Sequence, residues 1–219
     1  MCDSATDGRI TAVLIGVAGA GKSTLLRSFM TGKYVPDAEP TIGVATSGRG
    51  MLTGGKRIAV AFWDTAGQER YGSLLPMYTR NANILIGVVP HDGGGVPDDA
   101  VSGLNTSLRR ALEAHAGDLD HVALVATKSD LGGSATPALM LLERTTRERL
   151  SKTGIAATVS TATTTAQTPD HVRALVNDLV AQCRDRAIAR STTQSRSSIA
   201  LVPVPDPPSR WWDLRHWGC

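Results

Sequence analysis

The chain has 219 residues, 42% of them apolar and 20% charged, with a net charge of +3, which suits one buried core and is marginal for two. No run of five like charges occurs, so nothing marks a nucleic-acid partner, and no apolar stretch reaches the ~18 residues that span a bilayer. The N-terminus "MCDSATDGRI" lacks the apolar core of a signal peptide. The three cysteines (Cys2, Cys183, Cys219) and five histidines are scattered, which points to a reducing, cytoplasmic setting without a transition-metal site.

In chain order, Arg9 to Ile15 reads as a first strand and Lys22 to Thr31 as a helix, with Leu25, Leu26 and Phe29 on one side. "RGMLTGGKRIAVAFWD" reads as a hairpin turning at Thr53, Gly54 and Gly55. "ANILIGVV" (82–89) and "HVALVAT" (121–127) are continuous apolar runs, the pattern of strands buried on both faces. Thr136-Pro137 and Thr168-Pro169 each offer an N-cap hydroxyl followed by proline at the first helical position. After the second, Val172, Leu175, Val176, Leu179, Val180 and Cys183 form one apolar stripe. Strands alternating with helices indicate a parallel-rich α/β sheet. From Ala187 the composition turns to Ser, Thr, Arg and Pro, and a flexible tail is expected over 187–219, with 1–8 an N-terminal extension and 9–186 a single domain.

Between the first strand and the first helix lies "GVAGAGKST", in which Gly16-x-x-x-x-Gly21-Lys22-Ser23 satisfies the phosphate-loop pattern. Gly16, Gly19 and Gly21, with Ala18 and Ala20 between them, let backbone N–H groups wrap an anion. Lys22 supplies a fixed charge, Ser23 a hydroxyl for Mg²⁺, and the helix opening at Ser23 and Thr24 its positive dipole end. "WDTAGQERY" follows a strand. Asp64 can reach Mg²⁺ through water, the Gly67 N–H can meet a γ-phosphate, and Gln68 can orient an attacking water. "TKSD" ends another strand, where Asp130 can accept from the N1–H and exocyclic amine of guanine, an arrangement adenine does not offer.

These segments resemble the Ras superfamily of small GTPases, and "TIGV" with "WDTAGQERY" is most similar to its Rab branch, over roughly residues 9 to 185. The resemblance implies a P-loop NTPase-type α/β fold, a mostly parallel six-stranded sheet with helices on both faces. It also implies a GTP/GDP switch with Mg²⁺ that hydrolyses GTP, with Lys22, Thr41, Gly67 and Gln68 in the catalytic set and Ser23, Thr41 and Asp64 at the metal. Nineteen positions separate Lys22 from Thr41, as the family pattern requires, and Tyr34 falls where the family places a ring against the base. Thr127, Lys128 and Asp130 would read the guanine. "VSTAT" (159–163) would be the last base loop, with Ser160, Thr161 and the Ala162 N–H toward the base and Thr163 in place of a supporting lysine.

Several departures carry consequences. Thr127 replaces the usual Asn, as in Rho-type relatives. Ala18 crowds the space Gln68 must enter, so slow intrinsic hydrolysis is expected, and Ala38 replaces an aromatic that closes over the γ-phosphate in relatives. Thr46 stands where the Rab signature has phenylalanine, while Tyr71 and Leu74 are kept as apolar effector contacts. The glycine-rich stretch 91–99 reads as a surface insertion.

Effectors would bind switch regions near 34–46 and 64–80, with an exchange factor and a GTPase-activating protein as further partners. Cys219 stands alone as the last residue, outside a prenylation box, beside Trp211, Trp212 and Trp217. Three readings of this end stay open: a lipid-plus-tryptophan contact with intracellular membranes, a partner-binding peptide, or an end with no function. Two functions also stay open, a GTPase switch in vesicle or membrane traffic and a hydrolysis-deficient GTP-binding adaptor.

Overall fold

The computed structural model describes residues 6–36, 41–67 and 74–196, with side chains through 193. A six-stranded sheet in the order β2-β3-β1-β4-β5-β6 is built from β1 (Gly8–Ile15), β2 (Val44–Thr53), β3 (Lys56–Thr65), β4 (Ile84–Pro90), β5 (His121–Thr127) and β6 (Thr158–Thr163). Every neighbouring pair is parallel except β2 with β3, so five strands end at the same edge of the sheet.

Helices α1 (Lys22–Thr31) and α5 (Pro169–Arg196) cover one face, while α3 (Asp98–Glu113) and α4 (Thr136–Thr153) cover the other. A short α2 (Leu75–Thr79) joins the second group through Leu75. Alternation along β1 feeds both cores: Ile10, Ala12 and Leu14 meet Phe29, Val172 and Val180, whereas Val13 and Ile15 meet Leu104, Leu108 and Leu142. This is the parallel-rich α/β sheet expected from the strand and helix alternation, in the six-stranded P-loop-type arrangement that the family resemblance implied.

The hairpin turns at Gly54 and Gly55, both with positive φ (55° and 73°), the two-residue geometry that matches strand twist. The helix starts differ from expectation. Thr136 is itself the first residue of α4, and Ala135 precedes it without a side-chain cap. Thr168 does precede α5, but its hydroxyl donates to Thr165 O rather than receiving a helical N–H. The stretch 91–99 forms a turn closed by Asp92 that leads straight into α3, whose first turn holds Asp98 and Asp99 where the helix dipole favours acids.

Residues 187–196, whose composition suggested a flexible tail, are helical. The stripe of α5 continues through buried Cys183 and Ala187, and Arg190 reaches the carboxylate of Asp120. Ser191, Thr192 and Thr193 are helical, and their hydroxyls donate back to the carbonyls of Ala187, Ile188 and Ala189. The helix therefore runs to Arg196, and the expected Trp-rich end and Cys219 lie outside the described residues, as do Cys2, Ala38, Gln68 and Tyr71.

Candidate nucleotide site

The carboxyl edge of a parallel sheet is where connecting loops can converge on a ligand. Here the loop 16–21 leaves β1 and turns into α1. Gly16 has φ 150°, and a Cβ on it would lie 2.2 Å from Val88 O, so the chain could not pass with any side chain there. Gly21, with φ 87°, immediately precedes α1, and Ala20 is fully buried beneath the loop. Ala18 and Gly19 face outward, and Thr24 is half-buried on the first turn of α1.

Lys22 is only 5% exposed, and its Nζ donates to Gly16 O and Val17 O, both at 2.9 Å. Burial pushes its ammonium down to about 8, against the pull of the Asp64 carboxylate toward the charged form. Two of its three donors hold the loop, leaving one for an anion.

Three oxygens meet beside it. Asp64, 4% exposed at the end of β3, accepts from Thr41 Oγ1 at 3.0 Å on Oδ2, and Thr41 Oγ1 lies 2.8 Å from Ser23 Oγ. The other carboxylate oxygen, Asp64 Oδ1, is buried without a hydrogen-bond partner among the described residues. An all-oxygen set with an unsatisfied buried carboxylate oxygen is the chemistry a hard divalent cation takes, so the residues present fit Mg²⁺. Gly67 closes this end: a Cβ on it would fall 2.4 Å from the Val17 carbonyl and 2.5 Å from Ala18 N, which leaves its backbone flush against the phosphate loop.

The TKSD segment arrives from β5. Thr127 Oγ1 donates to Ala20 O at 2.6 Å, which ties this strand end to the phosphate loop. Lys128 is exposed in a left-handed conformation, and Asp130 follows in a short 3-10 turn. Asp130 Oδ1 accepts from Thr165 Oγ1 at 2.5 Å and Oδ2 from Gln167 Nε2 at 2.9 Å. Tyr34 lies in the loop after α1, 43% exposed.

The base-loop expectation is corrected. Ser160, Thr161 and Ala162 lie inside β6, beside Ala123, Leu124 and Val125 of β5, and Thr163 is the last strand residue. Ser160 Oγ bonds His121 Nε2 at 2.7 Å, toward the opposite end of the sheet. The residues that meet Asp130 come four positions later, and Ser28 of α1 donates to Ala166 O at 2.9 Å to hold them in place. "STATTTAQ" repeats Thr-Ala at 161–162 and 165–166, so composition alone cannot choose the register. The strand must finish pairing with β5 before the chain can leave the sheet, and that selects the second pair. The sequence reading also missed His91, which is buried beside Thr127 O.

The family model of the Ras family matches residues 11–185. Among curated relatives, a Ras-related protein Rab-8B of Dictyostelium discoideum is 35% identical over 58% of this chain and 61% of its own length. A Ras-related protein Rab5A of Oryza sativa subsp. japonica is 45% identical over 34% of the chain and 36% of its length. The human Ras-related protein Rab-4B is 46% identical over 32% and 33%. The matched stretch thus spans from a third to about three-fifths of these relatives. With the match covering most of the sheet and all of the site described above, this chain belongs to the Ras family, as a small GTPase most similar to the Rab proteins.

Proposed function

We propose that the chain is a guanine-nucleotide switch that binds GTP or GDP with Mg²⁺ and hydrolyses GTP to GDP, acting in vesicle or membrane traffic. The observation that supports it best is the buried, unpartnered Asp64 Oδ1 beside the Ser23–Thr41–Asp64 oxygens, next to a lysine with a donor to spare. Ser23, Thr41 and Asp64 would hold the ion, which would supply positive charge along the β- and γ-phosphate oxygens. Lys22 would contact the outer phosphates and the Gly67 N–H the γ-phosphate, while the Thr41 carbonyl and Gln68 would orient the water. That water forms its bond to the γ-phosphorus as the β–γ bridging bond breaks, leaving GDP and phosphate.

Asp130, Thr127 and Lys128 would read the base. With the register corrected, the Ala166 N–H replaces Ala162 as the candidate for the guanine O6, and Gln167 stands at the position first given to Thr163. The motif sequences offer no obvious catalytic-finger arginine, so a GTPase-activating partner would supply one. Effectors would read the switch segments near 34–46 and 64–80, and an exchange factor would open the site. The C-terminal residues would add a membrane contact.

The adaptor reading has one observation in its favour: Ala18 N lies within 2.5 Å of where a Cβ on Gly67 would sit, so the Ala18 methyl is carried on backbone that already abuts this segment. Heat-released nucleotide from the purified chain should be guanine nucleotide, with slow Mg²⁺-dependent phosphate release in a single turnover that accelerates in Ala18→Gly. Adenine nucleotide, or none, would sink the switch. GTP that persists for days in both proteins would establish the adaptor.

A further inference from the structure

His91 follows the last residue of β4 and is 3% exposed, yet none of the sequence motifs includes it. Its backbone N–H donates to Thr127 O at 2.9 Å, and its ring Nδ1 lies 2.9 Å from the same oxygen. A carbonyl only accepts, so Nδ1 carries the proton. One residue thus occupies both lone pairs of one carbonyl.

That carbonyl belongs to the peptide entering Lys128, which among the described residues is the one non-glycine with positive φ (57°). A side chain there disfavours this conformation, so the surroundings must hold it. The rest of the turn braces the same segment. Asp92 Oδ1 accepts from the N–H groups of Gly94 and Gly95 at 2.9 and 3.2 Å, and a Cβ on Gly133 would lie 2.7 Å from Gly95 N. The turn after β4 and the loop after β5 therefore run backbone against backbone from Thr127 to Gly133.

We propose that His91 is a positioning residue for base recognition: its Nδ1–H fixes the Thr127 carbonyl so that Lys128 keeps its left-handed turn and Asp130 meets the base. This rests on the guanine reading above and deepens it. In the full-length chain, His91→Leu removes the donor, and His91→Asn returns an amide N–H near the Nδ1 place. The readouts are GDP dissociation, followed with a fluorescent analogue, and the affinity ratio of GDP to IDP, which lacks the exocyclic amine that Asp130 would accept from.

His91→Leu should release GDP about tenfold faster and lower the GDP-to-IDP ratio about fivefold, with His91→Asn returning both most of the way. A general loss of stability would weaken both nucleotides alike and leave the ratio where it was. An unchanged ratio in His91→Leu overturns the proposal, as does a His91→Asn ratio no better than that of His91→Leu. Should His91→Leu fail to fold, His91→Gln, whose amide sits one methylene further out, takes its place with the same expected drop and the same overturning result. A parent chain that binds no guanine nucleotide defeats the guanine reading itself, whereas tight parent binding with an unmoved ratio defeats the role of His91 alone.

Discussion

The two ends of the sheet both bury charge and finish it differently. At the amino end of β5, Asp120 is 4% exposed and is met by Arg190 through two hydrogen bonds (2.9 and 2.7 Å), with Arg186 at 3.6 Å. Next to it, the imidazole of His121 is fully buried between Thr158 Oγ1 (2.6 Å) and Ser160 Oγ (2.7 Å). Thr158 spends its hydroxyl proton on Asp120 O, so it accepts from His121 Nδ1–H, and Ser160 donates to Nε2. Every polar atom of that group is answered. At the carboxyl end, among the described residues, Asp64 Oδ1 has no partner and Lys22 keeps a donor in hand. Buried polarity that is complete belongs to the fold; buried polarity left open is capacity for a ligand.

The sharpest way to break that comparison is at the closed end. Arg190→Ala leaves a buried carboxylate with Arg186 alone, and should lower unfolding free energy by about 3 kcal/mol or more in urea titrations, while GDP affinity stays within twofold. A loss below 1 kcal/mol would mean that the pair is spectator chemistry.

His121 gives the next effect. Burial holds its imidazole down to about 4, partly opposed by Asp120, against about 6.5 in the unfolded chain. Between those values the unfolded state binds the extra proton. Stability should therefore be full above pH 6.5, fall as pH drops toward 4 by up to about 3 kcal/mol, and level off below. His121→Gln should flatten that slope. The same pH dependence in the variant would remove His121 as its source.

The open end responds through binding instead. With the free-state ammonium of Lys22 at about 8, an arriving phosphate must raise it, so GDP affinity should be constant below pH 8. Above pH 8 it should weaken up to about tenfold per unit. Calorimetry from pH 7 to 9.5 tests this, and in Lys22→Ala the alkaline loss should vanish along with about 10²-fold of affinity.

Much of this was legible in the residues. The phosphate loop, the hairpin and the stripe on α5 each depend on local periodicity or on glycine at fixed spacing, which a chain displays without its tertiary context. β4 is shifted from 82–89 to 84–90 because strand ends are set by pairing with β1 and β5 rather than by hydropathy. The helix α3 was hidden behind three glycines and Pro97, whose composition reads as loop while Asp98 already starts the helix. The base loop was displaced by a repeated Thr-Ala pair. The last turns of α5 were obscured because Ser, Thr and Arg look like tail until Asp120, about seventy positions earlier, is found beside Arg190. For β4, the base loop and the end of α5 the deciding partner is distant in the chain.

The ladder between β2 and β3 has one more implication. Val44 pairs with Thr65, and just beyond that rung Ala66 N donates to Gly43 O at 2.8 Å. The stretch carrying Thr41 and the stretch carrying Gly67 therefore hang from one common crossbar. A displacement of either stretch toward the phosphate loop would load the other's attachment as well.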